Sequence, residues 1–83
     1  MVISGEMVTK QVLAHKGARV IVTQEAQARI AATEPTMARP HYVVADLMDR
    51  KNWNKPDSIG IKPENMGLAI GIKLTDIKAV IIP

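Results

Sequence analysis

The chain lacks cysteine and phenylalanine, and it contains only one tryptophan and one tyrosine among 83 residues. Without thiols it can form no disulfide, no thiolate metal site and no cysteine nucleophile. A domain of this length buries only roughly 60 to 65% of the surface that its unfolded chain exposes. Because no covalent cross-link supplements this small core, oligomerisation is one expected source of additional stability.

Long apolar runs are also missing, since no run approaches the 18 residues of a membrane-spanning helix. The first eleven residues alternate between apolar and polar types, which is not the pattern of a signal peptide. These features predict a cytoplasmic protein without a membrane association. The length excludes a Rossmann domain, a TIM barrel and a kinase fold.

Charge of one sign is not concentrated. The net charge is only +3, and the 11 lysines and arginines are scattered along the chain with one local exception. Proteins that bind nucleic acids usually gather their basic residues on one face. The charge balance therefore does not by itself indicate a nucleic-acid-binding protein.

What the chain does have is an excess of β-branched residues, with 18 isoleucines and valines against 9 leucines and methionines. This excess favours strands. Apolar segments recur about every ten residues, a spacing typical of a small barrel or sandwich. We therefore expect residues 1–83 to form a single, mainly β domain. The expected fold is a small SH3-like β-barrel of five or six short strands, with one α-helix at about 24–33 and a 3-10 turn near 75–77.

The predicted strands cover residues 19–23, 41–47, 59–61, 68–72 and 78–83. The helix is predicted to begin after Thr23, whose hydroxyl can cap it, with Glu25 in the first turn where the helix dipole favours an acid. Residues 2–14 fit either a strand or a helix capped by Ser4, and weak alternation favours the strand. The order of a strand, a 3-10 turn and a final strand resembles SH3-like barrels in architecture alone.

No spacing of residues indicates catalysis or metal binding. His15 and His41 belong to no zinc-binding pattern. Asp46 and Asp49 lie three residues apart, a spacing that fits solvated turn charges better than an acid–base pair. We therefore predict no catalytic residue, no metal site and no cofactor, and the chain is not expected to be an enzyme.

One segment combines cations with an aromatic side chain and is the predicted binding loop. Its candidate binding residues are Arg50, Lys51, Trp53 and Lys55. The cations could contact phosphates and the indole could stack on a base, or the loop could hold an extended peptide. A solvated loop whose tryptophan folds back onto the barrel remains the alternative.

The final strand carries Val80 and Ile82 on one face and Ile81 on the other, and a closed core can accept only one of these faces. We expect Ile81, with Tyr42 and Met66 if they lie nearby, to form an interface between copies of the chain. The alternative is that the helix covers this outer face within one chain, which would leave a monomer.

These observations predict a non-enzymatic binding or assembly module, acting as an adaptor or accessory protein and forming a homodimer. A protein or peptide partner fits this prediction as well. The main alternative is a basic barrel that binds nucleic acid through residues 50–55. A small enzyme with a site shared between subunits is a third interpretation.

Overall fold

A computed structural model of the protein describes residues 1–46 and 58–83. Their strands are β1 (Val2–Ser4), β2 (Arg19–Val22), β3 (Tyr42–Asp46), β4 (Ser58–Lys62), β5 (Ile70–Lys73) and β6 (Ile77–Ile81). The helices are α1 (Lys10–Leu13) and α2 (Gln24–Thr33), and 3-10 turns occupy Gly5–Met7, Pro35–Met37 and Leu74–Asp76.

The strands form one antiparallel sheet in the order β1-β6-β2-β3-β4-β5. The expected mainly β fold is confirmed. Within the described ranges β1 and β5 are the two edges, and no pairing joins them. The sheet is therefore open here, and the expected closure into a barrel is not confirmed.

Local sequence signals determine several element boundaries. The helix predicted at 24–33 is confirmed, because the Thr23 hydroxyl accepts a hydrogen bond from the Ala26 N–H at 3.2 Å and caps its first turn. Pro35 follows two residues after the helix ends. The predicted 3-10 turn is confirmed within one residue, at Leu74–Asp76.

Residues 2–14 contain both of the structures that the sequence left open, so the preference for a strand throughout is corrected. The strand ends at Ser4, and Gly5 follows with a φ of 63°, a left-handed conformation that favours glycine. A short helix then begins at Lys10. Thr9, not Ser4, caps it by accepting a hydrogen bond from the Val12 N–H at 3.2 Å.

One face of the sheet, here called the inner face, carries the core. Val80 of β6 pairs with Ile3 of β1 on one side and with Val20 of β2 on the other, and Val20 pairs with Tyr42 of β3. Val80, Val20 and Tyr42 are fully buried. The wider buried cluster also contains Val8, Leu13, Ala18, Val22, Ala26, Ile30, Met37, Ile59, Ile61, Ile72 and Ile77.

Helix α2 belongs to the inner side, since its two buried residues, Ala26 and Ile30, are members of that cluster. Asp76 attaches the helix to the start of β6. Its carboxylate accepts a hydrogen bond from Arg29 at 2.9 Å, and its carbonyl accepts one from the Thr23 N–H at 2.8 Å. The opposite face of the sheet, here called the outer face, is thus left without α2.

The attachment of α2 can be tested with two substitutions. Thr23→Ala should lower the free energy of unfolding by about 1 kcal/mol, because the helix loses its cap. Ile30→Ala should lower it by about 2 to 4 kcal/mol, because it opens a cavity in the core. Denaturant unfolding measures both, with the exposed position Ala28→Ser as a control. Equal, negligible effects of Thr23→Ala and Ile30→Ala would contradict this account of the helix.

Candidate functional site

The predicted binding loop lies outside the part of the chain that the structure describes. Arg50, Lys51, Trp53 and Lys55 all lie outside the described residues, as does Asp49. The nucleic-acid and peptide-binding predictions attached to this loop therefore stay predictions.

The three predicted interface residues lie in different environments. Ile81 is 37% exposed and sits on the outer face, next to Val80, which points into the core. Met66 is half-buried in the turn between β4 and β5, and its sulfur lies 3.7 Å from a guanidinium nitrogen of Arg39. The structure therefore leaves Ile81 as the most exposed of the predicted interface residues.

Tyr42 is a core residue of the single chain, which corrects its assignment to an exposed patch. It pairs with Val20 on the inner face and is fully buried. Its hydroxyl accepts a hydrogen bond from the Arg39 N–H at 3.1 Å, which satisfies the polar end of the ring.

The outer face carries a continuous row of aligned residues across five strands. The strand registers pair each member with the next one in the order Val2, Ile81, Arg19, Val43 and Lys62. Val2 is 67% exposed. Together with its partner Ile81 it forms an apolar end of the row at the β1 edge. The other end is basic, and we call the whole set the outer row.

The carboxylate of Glu64 lies beside the middle of the outer row. Arg19 forms an ion pair with Glu64. A nitrogen of the same guanidinium lies 3.5 Å from Nδ1 of His41. The hydrogen bond between Arg19 and Glu64, reinforced by their charge attraction, lowers the pKa of Glu64 and raises that of Arg19. Glu64 thus adds a negative charge beside a row whose own charges are positive.

The described residues contain no arrangement that favours catalysis. No group of three or more histidines, aspartates and glutamates among them could hold a metal ion. His15 and His41 are both exposed. A surface depression of about 370 Å³ is lined by His15 and Lys16 together with apolar and small residues, without a carboxylate or hydroxyl side chain that could complete an acid–base pair.

Comparison with known proteins gives no assignment, because no family model, no curated protein and no solved structure matches the chain. Among the helices of the described residues, none combines the length and the apolar character needed to span a membrane.

Sequence reasoning missed two features of this site. The Arg19–Glu64 pair joins residues 45 positions apart, and neither residue lies in a local pattern that reveals it. The position of β1 beside β6 was missed for the same reason, since it depends on a pairing between opposite ends of the chain. Only the alternation of Val80 and Ile81 gave a local signal of the exposed face.

The role of Tyr42 gives a direct test. Tyr42→Phe should lower the free energy of unfolding by about 0.5 to 1.5 kcal/mol, because the Arg39 N–H loses its acceptor. The molecular mass in solution should not change, because the ring is not at the surface. Denaturant unfolding and light scattering measure the two effects, and a change of mass at unchanged stability would contradict the core assignment.

The Arg19–Glu64 pair predicts a pH dependence. Since the folded state lowers the pKa of Glu64, the pair stabilises the protein above the ordinary glutamate pKa of about 4.3, and this contribution is lost as the pH falls through the folded value. Glu64→Gln should therefore reduce stability slightly at pH 7, and the difference should shrink as the pH falls below the ordinary glutamate value.

The matched control is Glu34→Gln, because Glu34 has no ion-pair partner among the described residues. Both effects are small because the pair is exposed, and salt should reduce the effect of Glu64→Gln. A stability difference for Glu64→Gln that is the same at pH 7 and pH 3 would argue against the pair.

Proposed function

We propose that the protein is a non-enzymatic assembly module that associates with a second copy of itself and acts as an adaptor or accessory protein. The observation that carries the proposal is the pairing of Val2 with Ile81 on the outer face, where both side chains are exposed. Helix α2 packs into the core on the opposite side, so it does not protect these residues from solvent.

A second copy is a suitable partner for this surface because the apolar end of the outer row lies at the β1 edge. The row presents apolar Val2, Ile81 and Val43 beside the cations Arg19 and Lys62, with the Glu64 carboxylate close by. A two-fold dimer uses the same surface of each copy, so the apolar end at Val2 and Ile81 can meet its equivalent in the second copy.

The resemblance to SH3-like barrels is part of the same proposal. It is supported by β6, which follows directly after the 3-10 turn at Leu74–Asp76 and returns to pair with β2. Barrels of this kind are used for many unrelated binding functions, so the architecture agrees with a binding role without identifying the partner.

The test of self-association is the mass in solution. We expect light scattering at micromolar concentration to give a dimer. Ile81→Glu should raise the dissociation constant at least about tenfold, because it places a carboxylate beside Val2 in the apolar end of the outer row.

Leu68→Glu is the matched control. Leu68 is 68% exposed, more than Ile81, but it precedes β5 at the other edge of the sheet. Its substitution should leave the mass unchanged. A parent protein that is monomeric at all concentrations would refute self-association. Retardation of single-stranded DNA or RNA by such a monomer at low salt would instead favour the nucleic-acid alternative.

A further inference from the structure

The hydrogen bonds between β1 and β6 determine which main-chain groups of β1 remain available to pair with another strand. Met1 and Ile82 exchange two main-chain hydrogen bonds, at 3.0 and 2.8 Å, and so form a hydrogen-bonded antiparallel pair. Such pairs alternate along a ladder, so the next one is Ile3 with Val80. The N–H and C=O groups of Val2, and the N–H group of Ser4, therefore point away from β6 towards the open edge.

This edge lacks the residues that usually prevent strands from pairing with other chains. Val2, Ile3 and Ser4 include no charge and no proline, whereas the opposite edge strand, β5, ends with Lys73. Charged and proline residues are the common protection of edge strands. No described strand pairs with β1 on the side that points away from β6.

We propose that β1 is the dimer contact, and that the β1 strands of two copies pair antiparallel around a two-fold axis at Ile3. This inference rests on the self-association proposed above and adds its geometry. Each Ser4 N–H donates to the Val2 C=O of the second copy, so Val2 lies opposite Ser4 across the interface. The six described strands of each copy then join into one continuous sheet.

The apolar surface around this edge is large enough to contribute to a stable contact. Met1 is 81% exposed, Val2 67% and Ile81 37%, and Met7 in the turn after β1 is 71% exposed. Such side chains expose on the order of several hundred Å² per copy, and a second strand paired with β1 would cover part of this area together with the outward main-chain groups. A Cβ atom placed on Gly5 would have no neighbour within 4 Å, so there is open space beside the end of β1.

Because the chain has no cysteine, introduced thiols report the register without interference. The variants Val2→Cys and Ser4→Cys are suitable, since both residues are exposed. The proposed register places these positions directly opposite each other, about 5.5 Å apart between Cα atoms, which a disulfide can bridge. Two copies of the same variant place their thiols on a diagonal, roughly 7 to 8 Å apart.

We therefore expect an equimolar mixture of the two variants, exchanged under reducing conditions and then oxidised, to form a covalent heterodimer. Its yield, measured by non-reducing electrophoresis and mass spectrometry, should exceed that of either variant alone at least about fivefold. Equal yields from the mixture and from either single variant would overturn the register.

A second experiment tests the edge itself. Val2→Pro keeps the pairing with β6 but replaces the outward N–H group with the proline ring, which blocks the approach of a second strand, so it should raise the dimer dissociation constant at least about tenfold. Val2→Thr keeps the N–H group and the β-branched shape and is the matched control. If the parent protein is a dimer, equal constants for the two variants overturn the β1 contact and leave self-association intact. A monomeric parent overturns both.

Discussion

The register of β6 is the constraint on which the rest of the structure depends. This strand pairs with β1 on one side and β2 on the other, and its middle residue, Val80, lies between Ile3 and Val20. Because successive residues of a strand point to opposite faces, placing Val80 in the core forces Ile81 to the outer face. A shift of one residue would exchange these two side chains, burying Ile81 and exposing Val80.

The position of β6 also determines where the helix can lie. Asp76, at the end of the 3-10 turn that precedes β6, binds both the Arg29 side chain and the main chain of Thr23. The same carboxylate accepts a hydrogen bond from the Lys73 N–H at 3.1 Å. One residue thus fixes the geometry of the turn and the start of α2, so the helix and β6 are positioned by the same short segment.

Local signals made part of this fold predictable. The α2 boundaries follow from the Thr23 cap and the proline after the helix, and the alternation in residues 59–61 identifies β4. Tyr42 shows the limit of such signals. It is followed by Val43 and Val44, and three consecutive apolar residues do not reveal which of them faces the core. The pairing of Tyr42 with Val20 makes that choice, and pairing between distant segments is not encoded in any local pattern.

The proposed contact at β1 links assembly to folding through the same strand. β1 contains only three residues, and β6 is its one partner among the described strands. An edge strand of this length gains little from one neighbour, so it belongs to the least stable part of the sheet. A second copy that pairs with β1 binds the folded state and not the unfolded chain, so association stabilises the fold by mass action. Since Ile3 of β1 packs against the buried cluster, ordering this edge also supports the core beneath it. In a chain with a small core and without a covalent cross-link, the proposed contact would therefore stabilise the β1 edge and part of the core together.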